Sequence, residues 1–144
     1  MDTTTDFVRW EVPFSAARDP SVSLITEQGA DAAMLVVAPS GIDRYPKYLV
    51  RFSKVMFLLC YEEAFALDLG YRALSGIEPN CCAYLWTDSP WTGSYRKGAD
   101  VFEWKDLQHY LVFGGDSIVE LIASGQPKLE RLDARRVIDV KHEI

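Results

Sequence analysis

Two histidines and three cysteines are the rarest chemistry-bearing side chains in these 144 residues. His109 opens the run HYLVFGGDSIVELIA, and His142 lies near the end of the sequence. A catalytic or metal-binding histidine needs a placed partner, and no nucleophile motif such as G-x-S-x-G accompanies either one. His109 therefore reads as a strand-start residue that hydrogen-bonds locally. Glu62 and Glu63 pair acidic groups in sequence, but adjacent side chains diverge on a strand or a helix, which suits a solvated face better than acid–base work. Cys60 sits in an apolar run and reads as a small buried hydrophobe. Cys81 and Cys82 are neighbours that would point to opposite sides of a strand, leaving one accessible. Neither has a nearby Lys or His to activate it, and the spaced pairs of a zinc site are missing. No cofactor or metal is expected.

The break Gly114-Gly115-Asp116-Ser117 between two apolar runs raises the question of a phosphate cradle. Such a loop would be longer, would carry a lysine and would open a helix. Here Ile118 and Val119 follow, so the break reads as a hairpin turn whose glycines supply positive φ angles.

The most informative cluster is Trp86, Trp91, Tyr95 and Trp104, interleaved with Asp88, Ser89, Arg96 and Lys97. Aromatics beside arginine are enriched in interface hot spots, and they equally cover one end of a β core. The loop SGIDRYP offers a second surface through Arg44 and Tyr45. Candidate partner-binding residues are Arg44, Tyr45, Asp88, Trp91 and Tyr95.

These side chains must be positioned by short β elements. In FVRWEVPF, Val8, Trp10 and Val12 alternate with Arg9 and Glu11, the pattern of a half-buried strand ending at Pro13. SVSLITEQ and AAMLVVA flank Gly29-Ala30-Asp31 and read as a hairpin. KYLVRF and VMFLLCY are separated only by Ser53-Lys54. The segment 62–76 fits either a helix or alternation. CCAYLW reads as a strand, TDSPWTGSYRKG as a turn-rich loop, and ADVFEWKDLQ as a short helix or irregular chain. HYLVF, SIVELIA and PKLERLD supply further strands, and RRVIDVKHEI a charged strand or tail.

Composition bounds the rest. The length suits a single domain, residues 1–144, with one core. Hydrophobic residues at 49% and charged residues at 25% are those of a globular chain. A net charge of −6 with no basic stripe argues against nucleic acid and anionic membrane as partners. No apolar run approaches the roughly 20 residues of a membrane span. MDTTTDFVRW has no signal-peptide pattern, and three unpaired thiols suit a reducing compartment, so a soluble cytoplasmic protein is expected. Alternating strand–helix units are missing. The expected fold is therefore α+β and β-rich: a mostly antiparallel sheet of sequential hairpins with one or two short helices.

The order YLVRFSKVMFLLCYEE, YLWTDSPW and HYLVFGGDSIVELIA, across residues 47–123, resembles small bacterial β-rich proteins, some of which are immunity proteins that neutralise a toxin made by the same cell. These motifs are core and turn residues, so the resemblance implies fold and carries over no site residue. The expected function is non-enzymatic protein binding, most concretely immunity-type inhibition of a basic toxin, with electrostatics steering association. The alternative is a small-molecule binder or enzyme with a pocket lined by Trp86, Trp91 and Trp104. A structural subunit is the third class.

Overall fold

The computed structural model describes residues 7–26, 31–62, 80–87, 89–115 and 117–134. In chain order these form β1 (Phe7–Arg9), β2 (Ser21–Thr26), β3 (Ala33–Ala38), β4 (Lys47–Phe52), β5 (Val55–Glu62), β6 (Ala83–Trp86), helix α1 (Pro90–Val101), β7 (Leu107–Phe113), β8 (Ser117–Ser124) and β9 (Lys128–Leu132). The strands make two antiparallel sheets, a five-stranded one in the order β1-β6-β7-β8-β5 and a four-stranded one in the order β2-β3-β4-β9. The protein is thus β-rich with one described helix. No helix among the described residues is long and apolar enough to cross a membrane.

The expected hairpins β2–β3 and β7–β8 both form, the latter closing at Phe113 opposite Ile118. A purely sequential meander does not. β4 and β5 are one residue pair apart in sequence yet lie in different sheets, and β4 instead takes β9 as its neighbour. The chain turns from one sheet to the other at Ser53-Lys54, where Lys54 adopts φ 54°. Lysine is uncommon in that left-handed region, so nothing in the residue types announces the corner.

The core fills the space between the sheets. Leu35, Val37, Val50 and Phe52 from the smaller sheet meet Tyr110, Val112, Val119 and Leu121 from the larger. Trp10 sits among them, its ring 5.0 Å from Tyr110, 6.0 Å from Phe14 and 6.3 Å from Phe52. The expected alternation of FVRWEVPF is corrected here. The strand stops at Arg9, Val8 is exposed, and Trp10 reaches the core after the chain has left the ladder, holding on through its N–H to the Ala83 carbonyl at 3.0 Å.

The larger sheet is apolar on both faces. In β7 and β8, Tyr110, Val112, Val119 and Leu121 face the smaller sheet, while Leu111, Ile118 and Ile122 are equally buried on the other side. That is why these strands read as continuous apolar runs rather than as alternation.

Two local expectations fail for identifiable reasons. Within TDSPWTGSYRKG, Pro90–Gly98 is not a loop but helix, because α1 starts at Pro90. Ser89 is its N-cap, with the side chain accepting from Trp91 N–H at 3.2 Å, and Pro90 takes the first helical position, where the missing N–H costs nothing. The helix ends in a Schellman arrangement: Trp104 N–H reaches Ala99 O at 2.8 Å and Glu103 N–H reaches Asp100 O at 3.0 Å. The left-handed residue of that motif is Glu103, φ 60°, where glycine is usual, so the stop signal is invisible in sequence.

The second failure concerns the turn after β7. Neither Gly114 nor Gly115 has positive φ. Gly114 is small for a different reason: a Cβ there would lie 3.2 Å from Val22 Cγ2 and 3.3 Å from Pro20 O. Asp116 lies outside the described residues, as do Gly29 and Ala30, most of segment 62–76, and RRVIDVKHEI.

Candidate functional site

The outer face of the larger sheet carries a buried polar chain among largely apolar side chains. His109 on β7 is fully buried, and its Nδ1 lies 2.6 Å from Ser89 Oγ at the start of α1. Its Nε2 lies 2.8 Å from Oε1 of Glu120 on β8. The other carboxylate oxygen, Oε2, accepts from the Tyr61 hydroxyl of β5 at 2.5 Å. Ser89 and Glu120 are themselves 4% and 7% exposed, so the chain works in a poorly hydrated environment where hydrogen bonds and charges act strongly. Burial, reinforced by the hydrogen bond to Glu120, holds the Tyr61 phenol above its ordinary range and so protonated as a donor.

The fold builds this site from four elements. β7 and β8 pair with Leu111 opposite Glu120 and His109 opposite Ile122, so His109 and Glu120 are diagonal neighbours on one face. β5 pairs with β8 on its far side, bringing Tyr61 opposite Ile118 and hence diagonal to Glu120. The helix start delivers Ser89, and Thr92 Oγ1 bonds the Ser89 carbonyl at 2.7 Å, which steadies the cap. His109 is therefore not a locally bonded strand-start residue: its partners are 20 and 11 residues away.

Aromatic rings wall the imidazole. Trp86 lies 5.0 Å from it in a tilted contact, and Phe57 lies 6.3 Å away edge-on. Phe57 in turn stacks on Trp91 at 5.7 Å with a 14° interplanar angle and touches Tyr95 at 5.7 Å. Trp91 is 47% exposed, so one aromatic face is held against the protein while the ring remains open to solvent.

The tryptophans thus divide. Trp86 and Trp91 belong to the surroundings of His109, whereas Trp104 pairs with Phe102 at 5.4 Å at the far end of α1. At 1.5 Å per residue, the twelve-residue helix separates the two ends by roughly 18 Å. Of the five candidate binding residues, Trp91 and Tyr95 come together over Phe57. Arg44 and Tyr45 lie in the β3–β4 connection of the other sheet, Arg44 exposed and Tyr45 with Lys47 Nζ 4.8 Å from its ring centre. Asp88 lies outside the described residues, as does Glu63 of the acidic pair; Glu62 is the exposed last residue of β5.

The cysteines are all free, but their accessibility is the reverse of that expected. Cys60 is exposed, because β5 is the edge strand of its sheet. Cys81 and Cys82 are both buried, since they precede β6 and turn inward, with Cys82 Sγ against Phe14 O and Cys81 Sγ against Ala83 O, each at 3.3 Å. Burial, with Cys81 adding a smaller contribution, pushes the Cys82 thiol up to about 12. Among the described residues no group of three His, Cys, Asp or Glu could hold a metal ion.

One signal for the polar chain was present in the sequence. His109 and Glu120 fall on one face of a hairpin whose turn sets the register, and Glu120 is a lone carboxylate inside SIVELIA. Ser89 and Tyr61 carried no such mark, being brought in by tertiary packing. Searches against family models, curated proteins and solved structures return no match to this chain.

Proposed function

We propose that the protein is a protein-binding module, most concretely an immunity-type inhibitor that occludes the working surface of a basic toxin. The observation that carries the reading is Trp91: a half-exposed indole held flat on Phe57 beside Tyr95, at the start of a capped helix. Rigid exposed aromatics make good anchors, since little side-chain freedom remains to be lost on docking. The net charge of −6 supplies attraction toward a basic partner.

The test is co-expression with the product of the reading frame immediately upstream. Wild type should restore growth to cells making that product, and the purified pair should associate more slowly as salt rises. Trp91→Ala should weaken the complex by about 1–2 kcal/mol or more. Absence of both rescue and binding would remove the immunity reading.

A further inference from the structure

We propose that Ser89 is an activated nucleophile, and that Ser89, His109 and Glu120 form an acyl-transfer site for small esters. The argument begins with a donor count. Glu120 Oε2 accepts a hydrogen bond from the Tyr61 hydroxyl, and the carboxylate's other oxygen faces His109 Nε2. That contact calls for a hydrogen on Nε2, which leaves Nδ1 of the neutral ring as a lone pair. The 2.6 Å contact between Nδ1 and Ser89 Oγ is then made by the serine proton. A hydroxyl donating to an imidazole that itself donates to a carboxylate is the polarity a serine nucleophile needs. Either ring nitrogen can serve as the base, because the tautomer is set by what the other one bonds.

The surroundings suit the developing charge. Ser89 heads a twelve-residue helix whose first N–H groups have no intrahelical acceptor, and Trp91 N–H is already directed at Oγ. An oxyanion formed on an attacked carbonyl would sit at this positive helix end. Phe57 and Trp86 supply aromatic walls. Ser89 itself is only 4% exposed, which restricts the substrate to a short acyl group.

The step balances without a co-reactant other than water. Ser89 Oγ bonds to the carbonyl carbon while its proton passes to His109 Nδ1. The bond from that carbon to the alcohol oxygen breaks, and the departing oxygen takes the proton. Water then adds by the same route, releasing the carboxylic acid and restoring the serine hydroxyl.

The experiment is covalent labelling of the native chain with methanesulfonyl fluoride, a reagent small enough for a site of this burial, read by intact mass and peptide mapping. It requires no partner, so its outcome is separate from that of the docking test. The expected result is a single adduct on Ser89, formed with loss of fluoride, absent from the denatured chain and from Ser89→Ala. Tyr61→Phe, which keeps the ring and frees one carboxylate oxygen, should slow labelling measurably. His109→Gln should slow it by about 100-fold or more. A folded wild-type protein that gains no adduct, or gains it on another residue, overturns the proposal; the chain would then serve only to tie α1 to the sheet.

Discussion

Tyr110 and His109 are neighbours on β7, yet they belong to two aromatic groups with opposite environments. Tyr110 points between the sheets, where it joins Trp10, Phe14 and Phe52, all 7% exposed or less. His109 points to the outer face, where its company is Trp86, Phe57 and, one ring further, the half-exposed Trp91. The inner group is closed on all sides and works by excluding water. The outer group surrounds a polar chain and ends in a ring open to solvent. Residue type is the same in both; the side of the sheet decides whether an aromatic holds the fold together or presents a surface.

That contrast can be broken first at Trp10. Trp10→Ala should lower unfolding free energy by about 3–5 kcal/mol in urea titration, because a large buried ring leaves a cavity between two sheets. A loss under about 1 kcal/mol would mean that the inner group is not the core. Next in size is Glu120→Ala, which strands the His109 Nε2–H and the Tyr61 hydroxyl without their acceptor. About 2–3 kcal/mol should be lost, and a neutral result would deny that the outer chain contributes to stability.

A pH titration probes buried acids without mutation, Tyr61 of the outer chain being held protonated in the same way as the two inner ones. Tyr110 and Cys82 are held neutral by burial in the inner group, each with its pKa raised to about 12. A raised acid favours the fold while it stays protonated, so this contribution is intact below the ordinary thiol value near 9 and is lost progressively toward 12. Thermal melts should therefore hold level below about pH 9 and decline above it. A flat profile to pH 12 would contradict the burial of both groups.

Trp91→Ala should change stability by only about 1 kcal/mol, since half of the ring is already in water. A variant that melts far below wild type would move Trp91 from the presenting surface into the core. The smallest effect expected is a gain. Glu103→Gly relieves a left-handed backbone at the helix end and should add about 0.5 kcal/mol, seen as a slightly higher Tm. A loss instead would show that the Glu103 side chain contributes more than its backbone costs.

Strand identity was legible because it depends on local composition. β-Branched and aromatic runs such as AMLVVA and KYLVRF can bury their side chains only on a pleated surface, and both form strands. The β7–β8 hairpin was equally legible, since Gly114-Gly115 interrupts two such runs. The helix was not. Ser89 and Pro90 signal a helix start as readily as a turn, and Glu103 occupies the place where glycine would have announced the stop.

Sequence alone thus determined the β-rich character, the acidic surface and the position of the main hairpin, all properties of neighbouring residues. Tertiary structure decided that β4 and β5 part into different sheets, that Cys60 is exposed while Cys81 and Cys82 are buried, and that Ser89, His109, Glu120 and Tyr61 meet. These outcomes depend on which distant strand completes each sheet and which face a helix covers. The free energy that selects them comes from burying both faces of β7 and β8 at once, which no stretch of chain can do by itself.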